Sequence, residues 1–401
     1  MTLQSKADRL EGRAVADQYA ILRTGEVRAS TTSPVKHLKR KLGDSPFALV
    51  ALFVTPMIDF QSVVDEAADL FPDTDVLACT TAGEIGTTGY EEGLVVAVGF
   101  PSDGFVTTSL MIEDISALDT QSTIDRITLE RMALRDKTPG LDDNFAFLVV
   151  DGLSLSEDTL AATIAPALRD FPIFGGSAGD GTSFAHTYVA LNGKVATDAA
   201  ILTLARSRYQ TRVFSLNHLI PGDTQMVVTG ADPARRIVKE INAEPAAREY
   251  ARLVGKDPDQ LDRFTFASHP VVVRIGNTHH VRAIQQVNEH GELVFFSAID
   301  EGMVLTVASQ ENLSAHLEKK LTELGTPNRP VNIIGCDCIL RRIEAEQSQQ
   351  TRQISDVLSA HRVTGFSTYG EQIGPLHVNH TMSGVAFYHP APHGKANGEC
   401  P

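Results

Sequence analysis

The chain has no tryptophan, only four cysteines, and aromatic residues make up just 6% of it. Cys79, Cys336, Cys338 and Cys400 are too few and too irregularly spaced for a disulfide framework, and the opening Met-Thr-Leu-Gln-Ser-Lys-Ala-Asp lacks the apolar core of a secretory signal. No stretch approaches the roughly eighteen uninterrupted apolar residues of a membrane helix. Positive charge is also scarce. Thirty-five Lys and Arg face 50 Asp and Glu, a formal charge of -15, whereas a general nucleic-acid surface needs clustered cations to neutralise phosphate. These absences predict a cytoplasmic globular protein with no nucleic-acid partner and no membrane insertion.

What the chain does have is a repeated unit: an apolar strand, an amphipathic helix, a second strand, and a tight polar turn carrying an acid. The turns read Cys79-Thr-Thr-Ala-Gly-Glu84-Ile-Gly86, Gly175-Gly-Ser-Ala-Gly-Asp180 and Phe366-Ser-Thr-Tyr-Gly-Glu371-Gln-Ile-Gly374. Each follows the start of its first strand by roughly 35 to 40 residues, the mark of repeated supersecondary units. At 401 residues, two domains or one elaborate domain are expected.

The first unit runs from the strand Phe47 to Val54, through a helix with Asp59 at its N-cap, to strands Val76 to Thr80 and Gly93 to Phe100. In the second, Phe145 to Val150 is apolar on both faces and reads as a central strand, a helix begins near Ser156, and Asn192-Gly193 marks a hairpin within Tyr188 to Leu204. Strands dominate from Thr211 to Val307 around a helical patch at Pro245 to Val254, and the third unit occupies Val331 to Tyr388. This divides the chain into an N-terminal helical extension (1–45, with helices over 4–22 and Lys36 to Leu42), a first domain (46–207), a second (208–390) and a loose tail (391–401). The fold class is mixed α/β, that is α+β with mixed sheets, whose repeats from the two halves pack into one pseudosymmetric body.

A glycine ahead of each turn acid permits positive φ or close backbone approach, and the acid accepts turn amides or faces a ligand. Glu84, Asp180 and Glu371 are therefore turn caps first and pocket-lining groups second. Gly175-Gly-Ser177-Ala-Gly179 spells Gly-x-Ser-x-Gly, yet a further strand pattern follows where a nucleophile elbow needs a helix. No His-Glu-x-x-His zinc motif is present either. No enzyme activity is expected; a hydrolase using Ser177 or the turn acids is the alternative.

These motifs resemble the FIST proteins (F-box and intracellular signal transduction), bacterial sensory proteins with N- and C-terminal halves. The resemblance covers about Phe47 to Tyr388 and includes the closing segment His377-Val-Asn-His-Thr-Met-Ser-Gly384. Gly335-Cys-Asp-Cys-Ile-Leu-Arg-Arg342 and Gly365-Phe-Ser-Thr-Tyr-Gly-Glu-Gln372 are similar to the NosP class, proposed to bind haem and report nitric oxide to a histidine kinase. The resemblance implies a non-catalytic regulator carrying haem b, sensing a diatomic gas and controlling a partner histidine kinase in a biofilm or cyclic-di-GMP pathway; a homodimer is a further expectation. The alternative within the family is a sensor of another small ligand, such as an amino acid, without haem.

Haem requires a protein ligand to iron, and neutral His suits a gas-accessible site. His218, in Asn-His-Leu-Ile-Pro-Gly, is the first choice; His377 and His380 follow, three residues apart and so on opposite faces if they lie on a strand. Family members usually carry Gln where this chain has His380. His279, His280, His361 and His186 are further candidates. Arg341 and Arg342 are candidate clamps for haem propionates, the alternative being a solvated helix start paired with Glu344 or Glu346. Tyr369 and Glu371 of the third turn complete the cofactor-contact set. Strand geometry separates Cys336 from Cys338, so zinc binding by both needs a turn, and an iron-sulphur cluster needs more thiolates than one chain offers unless histidines or a second subunit contribute; both are alternatives to haem. The adjacent arginines would lower a thiol pKa. Cys400-Pro401 resembles a haem-regulatory dipeptide.

Overall fold

The structure, a computed structural model, describes residues 20–276 and 278–390. It is a mixed α+β protein in which three units each build a sheet of the same strand order. In the first, strand Arg23–Arg28 lies antiparallel to Leu94–Pro101, which lies antiparallel to Phe47–Val54, which is parallel to Asp75–Thr80. The second repeats this with Phe105–Ile112, Ala200–Ser207, Asp143–Val150 and Ile173–Ser177. The third repeats it with Gln210–Asn217, Thr381–Tyr388, Asn332–Cys338 and Val363–Thr368. Phe145 to Val150 is central as expected, buried and flanked on both sides.

The polar turn of each unit leads into a short hairpin that leaves its own sheet. Hairpin 84–91 pairs with the third unit (Ile85 opposite Gly365), hairpin 189–196 with the first (Val189 opposite Cys79), and hairpin 371–378 with the second (Glu371 opposite Gly176). One edge of each sheet is thus covered by a hairpin of another unit, which makes one body of three repeats. Asn192 and Gly193 supply the positive φ values, 50° and 87°, of the expected turn.

The three sheets face a common aromatic core. Phe53 stacks on Phe366 at 4.5 Å and Phe147 on Phe174 at 4.8 Å, while Phe53 and Phe147 meet edge to face at 6.4 Å. All four rings are wholly buried, each worth about 1.5–3 kcal/mol relative to exposure. Helices cover the outer faces: Pro34–Leu42 and Phe60–Leu70 on the first sheet, Thr120–Lys137 and Glu157–Leu168 on the second. Leu313–Glu323, Ile339–Gln347 and Thr351–Ala360 belong to the third. Asp59 is the N-cap of its helix, although its carboxylate accepts from the Ser62 hydroxyl (2.5 Å) rather than from a backbone amide.

Between Gln210–Asn217 and helix Leu313–Glu323 an eight-stranded sheet is inserted, with its own core around Met226, Tyr250, Phe266 and Leu305. It carries helices Ala246–Val254 and Arg263–Ser268. It is tied to the second unit by Arg236, whose guanidinium meets Glu157 at 2.6 Å and Asp158 at 3.1 Å.

Two readings at the N-terminus change. Arg23–Arg28, expected within a helical extension, is a strand because Leu94–Pro101 offers it a full antiparallel edge. The helix expected over 4–22 lies outside the described residues except for its last three positions, which are not helical. The tail 391–401, with Cys400-Pro401, lies outside them too. Among the described residues, no helix is long and apolar enough to cross a membrane.

Candidate functional site

The turn acids hold turns. Thr81 Oγ1 donates to Glu84 at 2.5 Å and the amide of Leu94 donates at 3.0 Å. Glu371 repeats the arrangement, accepting from Thr368 and, at 2.6 Å, from Thr381. Asp180 accepts from the amides of Phe184, Ala185 and His186 at 2.8–2.9 Å and from the Tyr369 hydroxyl. Burial raises Glu84 and drives Glu371 up to about 8 against its threonine hydrogen bonds. For Asp180 burial also pushes upward, but the bonds from Tyr369 and the three amides outweigh it, and its pKa is lowered.

The first two turns nevertheless also border a cleft of about 350 Å³. Its walls come from every part of the molecule. Ala82 to Glu84 come from the first turn and Asp180 to Ser183 from the second, while Ile339, Arg342, Ile343 and Glu346 lie on a helix of the third unit; Arg263 and Phe264 are from the inserted domain. Gly83, at φ +133°, lets the Arg342 guanidinium pass: a Cβ there would stand 2.0 Å from Arg342 Nη1. Arg342 donates to the Glu91 carbonyl (3.0 Å) and to Glu92 (3.1 Å), approaches Glu346 (3.7 Å), and lies over the Tyr90 ring. Arg263 lies over Phe264, 5.0 Å from the ring centre. The cleft therefore offers cations and carboxylates side by side.

Arg341, one residue away and about 100° around the helix, points inward and is completely buried. Its Nε donates to Asp337 at 2.6 Å and its Nη1 to His218 Nδ1 at 3.1 Å. Asp337 also accepts from the Tyr90 hydroxyl. Since His218 Nδ1 accepts, Nε2 carries the proton and donates to Glu344 at 2.8 Å. Burial first, and Arg341 second, lower the His218 pKa to about 2, so this contact is a hydrogen bond of neutral imidazole and not an ion pair. Burial raises Glu344 to about 7 and lowers His380 to about 3.

His218, Glu344 and His380 are thus brought together, ligand atoms within 4.8 Å of one another. His380 enters at φ +53° in the turn after strand Leu376–Val378, and neither of its ring nitrogens has a protein hydrogen-bond partner. His377 goes elsewhere, with Nδ1 3.2 Å from Gln372 Nε2 and its ring against Gly370. The pair do not share a site. A metal-bound imidazole needs its second nitrogen to donate to an acceptor, whereas His218 Nδ1 faces the donor Arg341. Haem on His218 fits no better: the side chain is buried, both nitrogens are engaged, and Arg341 is committed to Asp337 and His218 instead of to a propionate.

The remaining predicted residues are similarly placed. Tyr369 and Glu371 are buried within turn networks. Cys336 lies in the central core, and Cys338 is the buried N-cap of helix Ile339–Gln347. Burial pushes both thiols up, so the arginines do not activate them, because Arg341 and Arg342 face Asp337 and Glu92. Ser177 is buried with its hydroxyl accepting from Gln372 (2.9 Å), and no helix follows it, so it forms no nucleophile elbow. The expected pairing of Arg342 with Glu346 is present, but on a buried residue.

Sequence reasoning missed Arg263, Phe264, Glu92 and Asp337. Only Asp337 carried a local signal, four residues before Arg341 and able to meet it where strand passes into helix.

The FIST N domain matches residues 48–244 and the FIST C domain residues 246–374. The chain belongs to the FIST family of signalling sensor domains. It is also similar to the uncharacterized protein MJ1623 of Methanocaldococcus jannaschii, 22% identical over 400 residues, covering 88% of this chain and 75% of that protein.

Proposed function

We propose that this chain is a sensor of a small zwitterionic ligand of the amino-acid class, bound in the 350 Å³ cleft, whose occupancy is passed to a partner histidine kinase. The observation that carries this reading is the composition of the cleft wall, to which all three units and the inserted domain contribute. A ligand there touches all of these parts at once, so binding favours one relative placement of them. The volume lies within the range of about 300–1,000 Å³ usual for small-molecule sites. Arg263 has, among the described residues, no carboxylate partner and suits a ligand carboxylate; Glu92 and Glu346, both exposed, suit an ammonium group.

Calorimetric titration of the purified chain with the standard amino acids tests this. Binding is expected for a subset, weakened about tenfold or more in Arg263→Ala, since a charged hydrogen bond is worth about 1.5–3 kcal/mol. The same ligand should change autophosphorylation of the partner kinase. Absence of binding, or equal binding by the variant, overturns the reading.

Haem and nitric oxide sensing is the second reading, and one observation favours it. His186 borders a wider chamber of about 740 Å³ together with Met57. An absorption spectrum with added haem, with and without nitric oxide, tests it; a spectrum without a Soret band sinks it.

A further inference from the structure

We infer that the ligand of the polar cleft carries an extended apolar or aromatic tail, and that this tail occupies the wider chamber. The inference rests on the small-ligand reading above. The two spaces share Pro56, Met57, Asp180 and Ser183, so they lie side by side against the same residues. Their chemistry differs. Beyond the shared wall the wider chamber is lined by Ile58, Phe60, Tyr188 and Val195, with Phe60 and Tyr188 stacked, ring centres 6.0 Å apart and planes at 19°.

Polar groups of this chamber are largely committed. Asp59 accepts from Ser62, Thr80 Oγ1 accepts from the Tyr188 amide (3.1 Å), and Asp180 accepts from the amides of 184–186. A polar guest gains little there, whereas an apolar one removes hydrocarbon and aromatic surface from water. Met57, 74% exposed on the shared wall, is a large flexible side chain held out in water, and it can fold over a bound chain. An ionic head between Arg263 and Glu92 and a tail along Phe60 and Tyr188 together define an amphipathic, amino-acid-like ligand.

The test titrates the full chain with straight-chain L-2-amino acids from alanine to 2-aminododecanoate. Affinity is expected to rise about three- to fourfold per methylene, the change corresponding to about 0.8 kcal/mol per buried CH₂. Ile58→Asp and Val195→Asp, which border only the wider chamber, should abolish this rise and leave alanine binding unchanged; circular dichroism on both guards against an unfolded variant. A series that binds with no dependence on chain length overturns the tail and keeps the zwitterion site. Failure of every member to bind overturns both. Haem uptake with a Soret band that His186→Ala alters gives the chamber to a porphyrin and likewise overturns the tail.

Discussion

Tyr369, in the third turn, reaches across to Asp180 in the second: its hydroxyl donates to the carboxylate and accepts from the Asp180 amide at 3.1 Å. One phenol thus ties two repeats together at the cleft. Tyr369→Phe removes both bonds and leaves a buried amide and a carboxylate oxygen short of a partner, at a cost of about 1–3 kcal/mol. A lowered urea midpoint is expected, with faster amide exchange at residues 184–186. Unchanged exchange there would separate Tyr369 from the loop.

Gly83 is needed for its conformation and its lack of a side chain. Gly83→Ala places a methyl at φ +133° and 2.0 Å from Arg342 Nη1, so Arg342 must leave the Glu91 carbonyl and Glu92. Backbone strain alone is worth about 1–3 kcal/mol. The variant should unfold at lower urea and bind ligand weakly; a fully stable variant would mean that the turn relaxes.

The pH dependence of Glu371 has a definite sign. Its carboxyl ionises near 4.5 in an open chain but at about 8 when folded, chiefly through burial. The folded state keeps a proton that the unfolded state releases, so this contribution is complete below pH 4.5 and disappears as pH rises through 8. Glu344, raised to about 7, acts in the same direction. His218 and His380, both lowered, stabilise above pH 6.5 and lose that contribution as pH falls. Glu371→Gln has no proton to lose, so its urea midpoint should gain on the wild type between pH 5 and pH 9. Parallel curves would show that the carboxyl is not buried in protonated form.

Arg236 is the charged latch of the inserted domain. Arg236→Ala strands Glu157, itself 2% exposed, and removal of one partner from a buried pair costs about 3–5 kcal/mol. Because the inserted sheet has a separate core, the loss should be local. Hydrogen exchange should accelerate over residues 219–310 while strands Phe47–Val54 and Asp143–Val150 stay protected. Uniform acceleration would instead indicate one cooperative unit.

Strands with unbroken apolar runs, such as Phe47–Val54, were legible because burial on both faces leaves no room for a polar residue. Helix Thr120–Lys137 was not legible: its buried stripe contains Arg131 beside Ile127 and Leu134, while Leu129 and Met132 stand 67% and 53% exposed. Of the candidate site, the turns and Arg342 could be read. His218 could be singled out but not placed, since its partners Glu344 and Arg341 lie more than a hundred residues away.

By itself the sequence determined the three-unit repeat and the caps of its turns, because strand period, helix period and Thr-x-x-Glu hydrogen bonding are local properties of a few adjacent residues. Tertiary structure decided which sheet each hairpin completes. A strand edge is satisfied equally by its own hairpin or a neighbour's, and the choice falls to packing between segments as distant as Ile85 and Gly365. The cleft follows from that choice, since only the exchanged arrangement sets two turns, a third-unit helix and Arg263 around one space.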